Sequence, residues 1–119
     1  MTETHATSSD CIFCAIATGT MDADIVKEND RIIAFRDINP QAEMHVLVIP
    51  RAHHGDVVQL AKAAPETLAE LVTFADEIAS ELADGQFRFI FNSGPQAGQS
   101  VFHVHGHVLG GQRLGWTPA

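Results

Sequence analysis

The stretch FHVHGHVLGG, residues 102–111, places His103, His105 and His107 at every second position. The chain holds seven histidines in 119 residues, so three in so short a run ask for a chemical reason. On an extended strand alternate side chains share a face. That arrangement aligns the three rings and sends Phe102, Val104, Gly106 and Val108 to the core side. An exposed polar face explains the row poorly, since such faces mix Thr, Lys, Glu and Ser. A metal held by all three rings fails on reach. At a rise of ~3.3 Å per residue His103 and His107 stand about 13 Å apart, whereas ring nitrogens bind zinc at about 2 Å. One or two of the rings fit a metal; the row does not. Phosphate chemistry suits it better, because imidazoles near neutral pH supply a nucleophile, a donor and an orienting group. Just upstream, SGPQAGQS (93–100) adds what an anion needs. Gly94 and Gly98 allow close backbone approach, and Ser100 brings a hydroxyl.

A second reactive cluster lies at the other end of the chain. Cys11 and Cys14, spaced C-x-x-C, are the only cysteines. The spacing alone permits a redox pair, half of a zinc site or two buried thiols. No strand-helix-strand unit surrounds it, which counts against a thioredoxin-type pair. A closed zinc site needs two further ligands, and PRAHH offers His53 and His54.

The elements that must position these groups follow from periodicity and punctuation. CIFCAIATG (11–19) reads as a short helix ending at Gly19. DADIVKEND and RIIAFRD read as two strands turning at 28–30, and HVLVIP (45–50) as a third strand. From Pro65 to about Leu82 apolar residues follow the helical period, with a proline start and an Asp84-Gly85 stop. FRFIFN (87–92) and SVFHVHGHVLG (100–110) complete the strands. The sum is a single α+β domain on an antiparallel sheet over 11–119, preceded by a polar N-terminal tail at 1–10.

The formal net charge of −8 argues against a nucleic-acid backbone or an anionic membrane as the main partner. MTETHATSSD lacks the basic start and apolar run of a signal peptide, and no stretch has the ~20 apolar residues of a membrane span. A cytoplasmic location is expected, where a structural disulfide is disfavoured.

Taken together, CIFCAI, RIIAFRDINPQAEMHVLVIPRAH, FNSGPQAGQSVFHVHGHVLGG and the late Trp116 resemble the histidine triad (HIT) proteins. Their motif is His-φ-His-φ-His-φ-φ, with φ apolar, and the likeness runs from about residue 11 to 117. Within the family the chain looks like the Hint branch of purine nucleoside phosphoramidases. The resemblance implies an antiparallel five-stranded sheet with one long helix and one short N-terminal helix, two copies joining their sheets into a homodimer. It implies hydrolysis of the P–N bond in an AMP conjugate. His105 would attack phosphorus, His107 would hydrogen-bond the phosphate, and His103 and Ser100 would complete the catalytic set. Asn92 and the backbone of Gly98, Gln99 and Ser100 would cradle the phosphate. Asp37 would hold the ribose, with Phe13, Phe35 and Ile38 around the purine. Bacterial members suggest a zinc on Cys11, Cys14, His53 and His103, with His54 as an alternative to His53. His103 turning to the metal would free the other two rings. The same triad supports dinucleoside polyphosphate hydrolysis or nucleotidyl transfer, and a zinc-stabilised nucleotide-binding scaffold with little turnover is the rival of another class. Gly106 departs from the motif and leaves a gap on the core face for a neighbour to fill. His45 is read as structural and His5 as part of the tail.

Overall fold

The computed structural model describes residues 11–116, so His5, the tail and the last three residues lie outside it. Helix α1 spans Ile12–Thr18. Cys11 caps it, its Sγ accepting from the Cys14 N–H at 3.2 Å, and Gly19 ends it at φ +82°, a left-handed conformation suited to glycine. Strands β1 (Ile25–Glu28) and β2 (Ile32–Arg36) form a hairpin. Asn29 shapes its turn by accepting from the N–H groups of Arg31 and Ile32. Strand β3 (Met44–Pro50) is buried at every position.

An element the sequence reading lacked follows. Helix α2 spans Val57–Ala63, capped by Asp56 through the Gln59 N–H at 2.9 Å. Ala64, at φ −149° and ψ 69°, breaks the helical path before Pro65, whose ring disfavours a helical conformation in the preceding residue. Helix α3 then runs Pro65–Leu82, as the periodicity predicts. Strand β4 (Phe87–Phe91), a short 3-10 turn at Pro95–Ala97 and strand β5 (Gly106–Gly110) complete the chain.

The five-stranded sheet has the order β1-β2-β3-β5-β4 with antiparallel pairing throughout. The last strand therefore lies inside the sheet, between β3 and β4. One face packs Ala34, Val46, Val48 and Val108 against Leu71, Ala75 and Ile78 of α3. Each large side chain fully buried there contributes about 1.5–3 kcal/mol. The opposite face packs Ile33, Phe35, Leu47 and Ile49 against Phe13, Ile16 and Ala17 of α1. Leu47 pairs directly with His107, which sets the histidines on the α1 side. No helix among the described residues is long and apolar enough to cross a membrane.

Two expectations are corrected. Residues 100–105 are not strand; the ladder begins only at Gly106. Before it, the Val104 N–H bonds the His54 carbonyl at 2.7 Å, a loop rather than a sheet partner. Phe102 also does not reach the core and is 52% exposed, because no ladder fixes its face. The gap at Gly106 is filled as the sequence suggests. A Cβ there would overlap the Phe89 ring and crowd Phe91, so the two phenyl groups occupy the missing side chain's space.

Candidate functional site

The three histidines diverge in environment. His103 is fully buried, and its Nε2–H donates to the Pro50 carbonyl at 2.8 Å. That bond assigns the tautomer: the lone pair sits on Nδ1, 3.3 Å from Cys11 Sγ and 3.4 Å from Cys14 Sγ. Cys14 Sγ also lies 3.3 Å from His53 Nδ1. The ligand atoms of Cys11, Cys14, His53 and His103 all fall within 4.8 Å of one another. Burial holds the His103 pKa down to about 4, so the ring stays neutral and its lone pair available. Two thiols and two imidazoles, one already oriented by a carbonyl on its far nitrogen, match the donor set and outer support of a structural zinc site. The His54 ring lines a separate surface cavity with Arg31, Glu66 and Glu70.

At His105 the pattern is reversed. Its Nδ1–H donates to the His103 carbonyl at 2.9 Å, which leaves the lone pair on Nε2. Burial lowers its pKa and so favours the uncharged, nucleophilic ring. His105 and His107 line a cavity of about 640 Å³ together with Phe13, Phe35, Asp37, Ile38 and Ser100. Phe13 stands edge-on to His105, with ring centroids 5.1 Å apart. Phe13 and Phe35 are buried wall residues, whereas Ile38 projects fully into solvent at the rim.

His107 has a partner that sequence reasoning missed. His45, read as structural, enters β3 on the same face and places Nε2 2.9 Å from His107 Nδ1. The Gln41 N–H donates to His45 Nδ1 at 3.0 Å, so the neutral His45 ring carries its proton on Nε2. It therefore donates to His107, whose own proton must sit on Nε2. That nitrogen is buried and has no partner among the described residues, so it is a donor held ready for an incoming acceptor. Burial pushes the His107 pKa down to about 4, with the neighbouring His105 and His45 rings adding to it. Asp37 Oδ2 lies 3.4 Å from His45 Nε2. Asp37, His45 and His107 are close enough to suggest a second metal site. The Gln41 bond argues otherwise, since it makes His45 offer a proton rather than a lone pair. The signal for His45 was a histidine at an alternate position of an apolar strand; its pairing across the sheet is not written in one sequence.

The glycine loop is built differently from its reading as a cradle. Gly94 and Gly98 take φ +93° and +99°, as glycines there allow. The Gly98 N–H bonds Pro95 O, and the Gln99 N–H bonds Gly94 O. The Gln99 side chain is buried and turned inward, so its amide and its backbone N–H are both bonded within the protein. Ser100 is exposed and lines the main cavity. Asn92 lies on the far side of His107, in a smaller cavity of about 140 Å³ with Gln41, His45, Ile90 and Leu109.

The HIT domain family model matches residues 18–114. A protein named 14 kDa zinc-binding protein, from Zea mays, is 41% identical over 92% of this chain and 88% of its own length. Adenylylsulfatase HINT1 from Arabidopsis thaliana is 40% identical, covering 95% of this chain and 80% of its own. The crystal structure of a HIT family hydrolase from Legionella pneumophila superposes with a TM-score of 0.88 at 38% identity, covering 92% of this chain and all of that one.

Proposed function

The chain belongs to the HIT domain family, and from that premise we propose that it hydrolyses the P–N bond of a purine nucleoside phosphoramidate and releases AMP. The observation that carries the reading is the pair of opposed tautomers: a lone pair on His105 Nε2 beside a proton on His107 Nε2, in one cavity. His105 Nε2 attacks phosphorus, and the P–N bond breaks with its electron pair on the departing amine, which takes up a proton from solvent, balanced by the proton that the attacking water releases in the second step. Water then attacks the nucleotidyl-His105 intermediate and restores the ring. Splitting one displacement in two lowers each barrier. The Nε2–H of His107, buried where the effective dielectric is low, stabilises charge on the phosphoryl oxygens. Asp37 accepts from the ribose hydroxyls, and Phe13 and Phe35 wall the base.

A single-phosphate substrate fits the charge of the cavity. Among the described residues Arg36 is its only Lys or Arg, and Arg36 faces Asp24 at 3.5 Å. Several adjacent phosphates lack cations there. A zinc on Cys11, Cys14, His53 and His103 would supply structural cross-linking, holding the start of α1 to the loop that leads into β5. Homodimerisation by joining two sheets belongs to the same reading, and sedimentation at working concentration tests it.

Steady-state release of AMP from adenosine 5′-phosphoramidate tests the activity, with adenylyl sulfate and a diadenosine polyphosphate in parallel. The expected preference is for the phosphoramidate, lost in His105→Ala. Preference for either other substrate overturns the phosphoramidase assignment.

A further inference from the structure

Residues 53–56 lie between the two sites and touch both. His53 at one end belongs to the Cys/His cluster, with Nδ1 3.3 Å from Cys14 Sγ. The next three residues each bond the loop that lines the catalytic cavity. His54 O accepts from Val104 N at 2.7 Å, Gly55 O from Gln99 Nε2 at 2.7 Å, and Asp56 Oδ2 from Ser93 Oγ at 2.8 Å. Gln99 is the centre of this strap. Only 4% exposed, it also accepts from the Gly94 N–H through Oε1 at 2.9 Å and donates to Val101 O at 3.1 Å. One buried amide thus spans the glycine loop, the residue after Ser100 and the segment beside His53. Breaking it removes the side-chain partner of three part-buried backbone groups at once, on three different segments.

We infer that Gln99 is a positioning residue that couples metal occupancy of the Cys/His cluster to nucleotide binding, acting through the strap 53–56 rather than by touching substrate. The inference rests on the nucleotide-binding reading above. A metal that fixes His53 fixes Gly55 and Asp56 two and three residues on, and through Gln99 and Ser93 it fixes the loop that presents Ser100. By reciprocity the nucleotide must raise metal affinity by the same factor.

The test measures binding, not turnover. AMP affinity is determined by calorimetry on zinc-loaded and chelator-stripped protein, and zinc affinity by chelator competition with and without saturating AMP. In the wild type the two ratios should agree at about 10-fold, within the usual range for coupled sites. In Gln99→Met, which keeps volume and loses every side-chain bond, the ratio should fall to threefold or less while zinc still binds at one per chain. Ser93→Ala, a mild change at an exposed position, should lower the ratio by less and covers the case in which Gln99→Met does not fold. A wild-type ratio near one overturns the proposal. So does a ratio above threefold in Gln99→Met, or, if that variant does not fold, an unchanged ratio in Ser93→Ala. Failure of the wild type to bind AMP at all would instead strike the nucleotide-binding reading beneath it.

Discussion

His103 and His107 stand four residues apart on the same side of the chain, and burial drives both pKa values down to about 4. Their neighbours give them opposite work. The Pro50 carbonyl takes the Nε2 proton of His103 and turns a lone pair toward two sulfurs. At His107 the proton of His45 occupies Nδ1 and leaves a buried Nε2–H with no partner among the described residues. Between them, His105 donates to the backbone of the first and stacks edge-on with the second, centroids 5.1 Å apart. On the proposed reading one residue type serves as metal ligand, nucleophile and donor because the bond at each ring's other nitrogen differs.

The contrast is broken most severely at the metal-facing end. Cys14→Ser should abolish stoichiometric zinc binding and lower the melting temperature by roughly 10 °C or more, the scale expected for losing a tightly bound ion from a domain this size. Calorimetry with metal analysis checks it; an unchanged melting temperature with zinc lost would make the cluster incidental to folding. At the other end, His45→Ala should leave zinc binding intact and reduce kcat by about 10- to 100-fold with little change in KM, since a misoriented His107 fails mainly in the transition state. A rise in KM alone would place His45 in substrate binding instead.

Acid should sharpen the comparison more gently. His107 is neutral in the fold well below its ordinary pKa, so the unfolded chain binds its proton first. His45 is shifted the same way, with burial outweighing Asp37. Stability from His107 is complete above about pH 6.5 and declines as pH falls toward 4, by less than the roughly 3.4 kcal/mol that an unscreened ring would lose. Urea midpoints from pH 7.5 to 4.5 should show a shallower decline in His107→Gln than in the wild type. Parallel declines would mean that His107 titrates normally.

Local signals in the sequence carried most of the fold. Pro65 and the following period mark α3, and Asn29 with its neighbours marks the first hairpin. Helix α2 had its signal in Asp56, a capping residue ahead of Val57 and Leu60, but Pro65 drew the helix start to itself. The last strand was read too long because alternation of apolar and polar residues persists through 102–108, while the backbone of 103–105 bonds to a loop and to a ring. The four residues of the Cys/His cluster were reachable by resemblance. The His45–His107 bond and the strap through Gln99 were not, since each joins residues at least 44 positions apart through geometry that only the folded chain supplies.

The central claim is that His105 is the nucleophile. Rapid-quench mass spectrometry of the wild-type protein mixed with adenosine 5′-phosphoramidate tests it most directly. The account predicts an adenylyl group on the peptide carrying His105, formed and consumed during turnover and absent from His105→Ala together with AMP release. Adenylylation of His103 or His107, or undiminished turnover by a folded His105→Ala protein, would contradict it.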